Sequence, residues 1–268
     1  MKKQFTTEAI NLKNYPLNDN DSIVVMFSKT KGLMKAIAKG TKRPKSKLGA
    51  RVQMFIANKL MLSEGRNFDN ISEATSLNTF SKIRSNIDKL TYAMYISECV
   101  NSFCSKQFNQ DENYSEIYDL IYSVYNKIAL LDKKEDIILS ALKFQIKFMN
   151  ILGWGIDFEN CSMCQKPLVG ESIFSFNLGA FLCCDCLKQE NNIQNIKIHE
   201  KIRMFLAEIS KTDFNSETKY DKLANLAVLE KCFNFMKKYM DSISHKKTHV
   251  FEILDCFNTA EFKAVQNG

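Results

Sequence analysis

The sequence predicts an α+β protein of more than one domain: a small antiparallel barrel, then a helical region interrupted by a four-cysteine loop. Three observations carry this prediction. Apolar runs of strand length, separated by turn signals, fill the stretch from Phe5 to about Leu77. After Asn78, apolar residues recur at three- and four-residue spacing, and two C-x2-C pairs lie between Cys161 and Cys186.

Within the first stretch, Ile23-Val24-Val25-Met26-Phe27 is an apolar run, Lys31-Gly32 reads as a tight turn, and the next strand runs from Leu33 to Ala38. Another apolar run spans Gln53 to Leu62 and closes at Glu64-Gly65. An antiparallel barrel of about five strands accommodates these runs. Beyond it, Ile83, Ile87, Leu90 and Met94 follow helical spacing, as do Ile117, Leu120, Ile121, Val124, Ile128 and Leu131, then Ile138, Leu142, Gln145 and Phe148 on a less regular stripe. Three amphipathic helices are expected, joined through the polar segments 108–114 and 132–135. Helical patterning returns near Ile198 to Ile209 and from Leu223 to Tyr239. The expected divisions are therefore 1–78 for the barrel, 79–268 for the helical domain and 159–189 for the cysteine insertion within it.

A chain of 268 residues with 45% apolar content, 20 Phe, and only 9 Gly and 3 Pro can bury a substantial core and favours helices over an all-β design. The formal net charge of +7 is unevenly spread. Residues 1–80 hold 14 of the 37 Lys/Arg and 6 of the 30 Asp/Glu, an excess of +8, which leaves residues 81–268 at −1. A cationic first third on a neutral remainder points to a polyanion partner, nucleic acid first and an anionic membrane surface second. No window reaches the ~20 apolar residues of a membrane span, and the start Met1-Lys2-Lys3-Gln4-Phe5-Thr6-Thr7 has no apolar leader core. A soluble, intracellular protein is expected, in which the 9 cysteines serve better as metal ligands and buried thiols than as disulfides.

Cys161-Ser-Met-Cys164 and Cys183-Cys-Asp-Cys186 present C-x2-C, an 18-residue spacer and C-x2-C. Each such turn can aim two thiolates at a point about 2.3 Å from each sulfur, which is what one tetrahedral zinc requires. Four protein ligands leave no open position, so a single Zn2+ here is structural and activates no water. In the spacer, Ser172 to Phe176 reads as a strand and Asn177-Leu178-Gly179 as a turn leading back to the second pair, in the manner of a zinc ribbon. Cys184 competes with Cys183 through C-x-C spacing, and the spacing preference favours Cys183. Unmetallated thiols are the plain alternative, while a redox-active pair lacks the βαβ context it needs. Cys99, Cys104, Cys232 and Cys256 lie mostly in apolar helical stretches and read as small core residues.

Between Lys29 and Arg51 stand nine cations and no Asp or Glu: Lys29, Lys31, Lys35, Lys39, Lys42, Arg43, Lys45, Lys47 and Arg51. Gly40 and Pro44 break regular structure, so the stretch Lys39 to Lys47 is expected as an exposed loop able to follow a nucleic-acid backbone. The candidate DNA-contacting set is Lys35, Lys39, Lys42, Arg43, Lys45, Lys47 and Arg51, and a merely solvated face is the competing reading of the same charges. Phe5, Tyr15, Phe27 and Phe55 lie in the same domain and would serve either as core or as stacking platforms.

The order of these parts resembles the RecO family of bacterial recombination mediators over nearly the whole chain. The residues that carry the resemblance are Lys39-Gly40-Thr41-Lys42-Arg43-Pro44-Lys45-Ser46-Lys47, Ile151-Leu152-Gly153 ahead of Cys161-x2-Cys164, and Leu178-Gly179-Ala180-Phe181-Leu182 ahead of Cys183. Gly179-Ala180 stands where many relatives carry Gly-Gly, and some members lack the cysteines, so in the family zinc supports the fold and not the working surface. The resemblance implies an N-terminal OB-fold, a helical C-terminal domain, no catalytic role, binding of single- and double-stranded DNA, and annealing of complementary strands. It further implies a cytoplasmic, nucleoid-associated protein with RecR and the acidic C-terminal tail of single-strand-binding protein (SSB) as partners, and RecA indirectly.

An enzyme reading fares worse. A zinc deaminase needs H-x-E and P-C-x-x-C around an open site, whereas Glu200 follows His199 directly and Asn160 and Leu182 precede the cysteine pairs. His245 and His249 have i, i+4 spacing without a Glu between them and read as surface or capping residues. The other rival is an RNA-binding or transcription-associated module of the same parts, because single-stranded RNA and DNA offer similar phosphates and bases.

Overall fold

The computed structural model describes residues 3–105, 113–188, 195–217, 225–244 and 248–252. Most of the first predicted connection, together with Leu223, His245 and Cys256, lies outside the described residues. The chain divides into two compact units, Met1–Leu131 with Lys247–Gly268 and Asp132–Lys246.

In the first unit, β1 (Gln4–Pro16), β2 (Ser22–Ser28), β3 (Gly32–Ala38), β4 (Ala57–Ser63) and β5 (Asp69–Asn78) close into a barrel in the order β1-β2-β3-β5-β4. Every pairing is antiparallel except that of β3 with β5, an OB-like arrangement. Alternate residues point inward, and Ala9, Val24, Met26, Ala36, Ala38, Leu60, Leu62, Ile71 and Ala74 form the barrel core with Val52. The four alanines among them suit so narrow an interior. A short helix, α1 (Lys47–Arg51), leads from the basic segment toward β4. It was hidden in the sequence, where the apolar run from Gln53 suggested an earlier strand start; the strand begins only at Ala57.

Part of the barrel's outer wall is also apolar, which no free-standing barrel would tolerate. Ile10 and Phe27, a directly opposed pair on β1 and β2, are fully buried because α2 (Ile87–Phe103) and α3 (Tyr114–Leu130) pack on this side. Phe27 meets Tyr114 edge to face at 6.3 Å, and Phe55 and Phe80 meet Tyr125 at 5.5 and 5.9 Å. The change of periodicity near Asn78 thus marks a change of element type, whereas the packing boundary comes after Leu131.

Helix α3 buries Ile117, Leu120, Ile121, Val124 and Ile128, the expected stripe. Helix α2 behaves differently. Ile87 is 63% exposed, while Tyr92, Ala93, Tyr95, Ile96, Cys99 and Val100 are buried. It is covered on nearly every side, so no single stripe exists to be read, and the spacing Ile87-Leu90-Met94 picks out its more open side.

In the second unit, α4 (Lys134–Ile151) buries Ile138, Leu142, Gln145 and Phe148 as expected, and also Ile137, Phe144 and Met149. Helices α6 (Glu200–Lys211) and α7 (Leu226–Ser244) pack against it. A small sheet of β6 (Ser172–Ser175), β7 (Ala180–Leu182) and β8 (Asn195–Ile198) runs in the order β7-β6-β8, and one turn of helix, α5 (Cys184–Leu187), follows β7. The helix expected from Ile198 therefore begins two residues later, since Ile198 ends β8 and His199 caps α6 by accepting the Lys201 N–H at 3.2 Å. Phe174 of β6 seats the sheet on α7, with ring centroids 4.9 Å from Phe235 and 5.5 Å from Tyr239. No helix among the described residues is long and apolar enough to cross a membrane.

One close approach in the first unit gives a test of the helix-on-barrel packing. Gly32 sits at φ +66°, and a Cβ there would lie 2.5 Å from the Tyr114 ring. Gly32→Ala should lower the stability of this unit by about 1–3 kcal/mol, read as a lower urea midpoint. Tyr114→Ala should cost less in that background than in the native chain, because the overlap is then relieved.

Candidate metal centre and nucleic-acid face

The cysteine loop is built by backbone hydrogen bonds before any metal is considered. Asp157 accepts from the N–H groups of Glu159 and Asn160 at 2.8 and 3.1 Å, which turns the chain into Cys161. Cys161 N–H donates to Lys166 O at 2.9 Å and Gln165 N–H to Cys161 O at 2.8 Å, with Gln165 in the left-handed region at φ 59°. Ser162 N–H then donates to Phe181 O at 3.0 Å, which ties the first cysteine turn to β7 and so to the second pair. Gly179, at φ +64°, makes the β6–β7 turn where a Cβ would stand 3.2 Å from the Tyr239 ring.

The result is a four-sulfur cluster. The Sγ atoms of Cys161, Cys164, Cys183 and Cys186 all lie within 4.8 Å of one another, and those of Cys164 and Cys183 are 3.8 Å apart. A tetrahedron with metal–sulfur bonds of about 2.3 Å has sulfur–sulfur edges of about 3.8 Å, so the cluster could hold one thiolate-bound metal ion. Cys184 is exposed and stands outside the cluster, so the third corner is Cys183.

The electrostatics agree with the geometry. Burial opposes ionisation of Cys161, but the backbone N–H groups of Cys164, Cys183 and Met163 and the Cys164 thiol aim at its sulfur and bring it down to about 6. Cys186 moves the other way, up to about 12, because Cys183 first, then burial, Cys164 and Cys161 disfavour its charge. Four thiols this close cannot all ionise unless a cation sits among them.

Arg203 of α6 holds the loop from behind. It is 4% exposed and donates Nη1–H to Phe158 O at 2.6 Å and Nη2–H to Leu168 O at 2.9 Å, the carbonyls that flank the first cysteine pair in the chain. Nothing in the sequence singled it out, because a lone cation on an amphipathic helix reads as surface. Of the cysteines read as core, Cys99 and Cys232 are buried and Cys104 is half-buried. His249 is exposed and hydrogen-bonds to Glu252 at 2.8 Å.

The basic segment is ordered and clipped to the barrel. Gly40 N–H donates to Asp21 Oδ1 at 2.8 Å, Lys42 N–H to Asn20 O at 3.1 Å and Lys42 Nζ to Asn18 O at 2.8 Å, so the stretch after β3 rests on the β1–β2 turn. Ser46 caps α1 by accepting from Gly49 N–H at 3.1 Å. At the far end, two buried amides grip one carbonyl: Asn11 and Asn58 each donate to Arg51 O at 2.9 Å. The Arg51 side chain is half-buried and donates to Ala74 O on β5.

The structure therefore sorts the nine cations. Lys29 pairs with Asp119 at 2.8 Å, Lys31 stands 3.3 Å from the centroid of the Phe5 ring, and Lys42 and Arg51 hold backbone carbonyls. Lys35, Lys39, Arg43, Lys45 and Lys47 are exposed and make no ion pair or side-chain hydrogen bond among the described residues. Lys39 and Arg43 do feel Asp21, whose carboxyl is held below its usual range mainly by the Gly40 N–H.

Fold and site together define an OB-like barrel protein whose helical portion carries a four-cysteine centre of metal-binding type. Residues 1–80 match the model described as Recombination protein O N terminal, and residues 84–232 match the one described as Recombination protein O C terminal. The chain belongs to the RecO family. It is similar to the DNA repair protein RecO of Desulforamulus reducens, 29% identical over 258 residues that cover 94% of each chain. The corresponding protein of Caldicellulosiruptor saccharolyticus is 27% identical over 239 residues, 89% of this chain and 91% of the relative. That of Clostridium novyi is 28% identical over 184 residues, 69% and 70%.

Three substitutions separate the roles around the cysteines. Cys183→Ser should abolish stoichiometric metal binding and Cys184→Ser should leave it intact, as measured by elemental analysis of the purified chains. Arg203→Met should destabilise the second unit by about 2–4 kcal/mol, since it strips donors from two buried carbonyls, and the loss should appear as a lower unfolding midpoint even in metal-loaded protein.

Proposed function

We propose that this chain is a DNA repair and homologous-recombination mediator that binds single- and double-stranded DNA through the barrel's basic segment and anneals complementary strands. Together with RecR it assists loading of RecA on SSB-coated single strands, and it meets SSB through that protein's acidic C-terminal tail. The observation that carries this reading is the set of exposed cations that make no ion pair among the described residues, Lys35, Lys39, Arg43, Lys45 and Lys47, on a barrel of a chain belonging to the RecO family. Lys42 and Arg51 complete the surface, each with its side chain also tied to a backbone carbonyl.

The physical logic is electrostatic. Two complementary strands repel through their phosphates, and a cationic surface that neutralises both lowers the work of bringing them together without reading a base. Nothing in this role asks for bond chemistry, so the protein acts as a non-catalytic factor, located in the cytoplasm with the nucleoid. The four-thiol cluster takes one Zn2+, which when bound cross-links the two cysteine turns. Cys161, Cys164, Cys183 and Cys186 would hold it and leave no open position for water.

The test is annealing of complementary DNA strands precoated with the matching SSB, followed by fluorescence with and without this protein. Acceleration that fades with salt is expected; no acceleration, with free strands still bound, would reduce the protein to a plain nucleic-acid binder, and preference for matched RNA would replace the repair reading altogether. If about four cations contact phosphates, affinity for single strands should fall with a log–log salt slope near −3, roughly 60-fold for a fourfold rise in salt. Combined Lys42→Glu, Arg43→Glu, Lys45→Glu and Lys47→Glu should abolish binding while circular dichroism stays native.

A further inference from the structure

We propose that Tyr15 is a stacking platform for a base of bound single-stranded DNA, with Lys13, Lys35 and Lys39 holding the neighbouring phosphates. This inference rests on the single-strand-binding reading above and adds to it a contact with bases, which the phosphate-binding cations do not supply.

The four aromatic residues whose roles the sequence left open are separated by the structure. Phe27 and Phe55 are 0% and 1% exposed, and Phe5 is half-buried beneath Lys31. Tyr15 alone of the four is exposed, at 40%, although it lies within β1.

Strand register places it. Tyr15 lies opposite Ile23 and Ile23 opposite Ile37, while Lys13 lies opposite Val25 and Val25 opposite Lys35. Directly opposed residues share a face of a sheet. This is the outer face, because the alternating partners Val24 and Ala36 point into the barrel core. The outer face of β1, β2 and β3 has two ends. At one, Phe27 and its neighbours lie under Tyr114 of α3. At the other, Val25 is buried, Ile23 and Ile37 are half-buried, and Tyr15, Lys13 and Lys35 are exposed.

The exposed end suits an extended polyanion with flat bases. Lys39 follows β3 in the turn after Ala38, so Lys35 and Lys39 stand on either side of Ile37 in the chain, and Ile37 is in register with the Tyr15 row through Ile23. Lys13 Nζ stands 4.9 Å from the Tyr15 ring centroid, which orients the ring on one side and puts a cation beside a base stacked on the other. The nearest acidic groups in sequence are Asp19 and Asp21 of the β1–β2 turn, and the Asp21 carboxylate is already engaged by Gly40 N–H and the Asn18 amide. An exposed aromatic ring flanked by lysines that make no ion pair among the described residues therefore leads into the basic loop.

The experiment compares the full native chain, Tyr15→Ala and Tyr15→Phe for binding to a fluorescent oligothymidylate and to an abasic oligomer of equal length. Tyr15→Ala should weaken oligothymidylate binding by roughly 5- to 150-fold and leave abasic binding at the native level, with Tyr15→Phe close to native on both. Equal loss on the two oligomers, or no loss on oligothymidylate, would overturn the stacking role while the single-strand reading stands. Failure of the native chain to bind either oligomer would overturn both readings.

Discussion

A backbone carbonyl that its own helix or strand leaves unpaired in or near a core must find a donor elsewhere in the fold. Both units of this chain meet that constraint with long or amide side chains. Asn11 and Asn58 converge on Arg51 O, Arg51 reaches Ala74 O, and Lys89 reaches Ala129 O in the first unit. In the second, Arg203 serves Phe158 O and Leu168 O, and Lys143 serves Ser216 O. The basic segment and the cysteine loop hang from these bonds. The asparagine pair fixes where the basic segment re-enters the barrel, and the buried guanidinium fixes the walls between which the cysteine turn is strung.

The same constraint changes how the charge of the protein should be counted. The excess of +8 in residues 1–80 suggests a uniformly available cationic surface. In the fold, cations divide between those that stabilise backbone, such as Arg51, and those that remain open to solvent, such as Lys35 and Lys47. A buried hydrogen bond to a charged donor contributes about 1.5–3 kcal/mol, whereas an exposed lysine contributes mainly a field. The field is what a phosphate backbone feels, and salt screens it within roughly 8–10 Å. The four-cysteine cluster lies in the other unit, so the exposed cations and the metal-type centre belong to different parts of the chain.

Legibility in the sequence followed the range of the interactions concerned. The C-x2-C pairs were readable because each turn is made by residues within a few positions of one another, and so was the β6–β7 turn at Gly179. Helix α3 was readable because one of its sides faces the core and the other faces solvent. Helix α2 was readable as a helix, but its buried side was not, because it is covered almost all round and periodicity does not single out one face of such a helix. Helix α1 escaped notice because it is a single turn started by Ser46 after a Pro44-containing loop. Strand β8 went unread, and only its last residue, Ile198, was taken into the helical pattern, because Asn195–Ile198 has no alternation long enough to declare itself and its place is set by pairing with β6.

By itself the sequence determined the composition of the two regions: which four-cysteine pattern is present, where positive charge accumulates, and that a barrel-like stretch precedes a helical one. These depend on residue identity and short spacing, which the chain carries wherever it folds. Spacing favoured Cys183 over Cys184; tertiary structure alone decided that Arg203 is a buried clamp, that Lys42 and Arg51 hold carbonyls, and that Tyr15 is open while Phe27 and Phe55 are core. Each of these turns on burial or on a partner brought from elsewhere in the chain, as Ala74 is to Arg51 or Phe158 to Arg203. A linear pattern reports the face an element prefers to hide, and only the packed neighbours determine which side chains are in fact covered and which donors are already engaged.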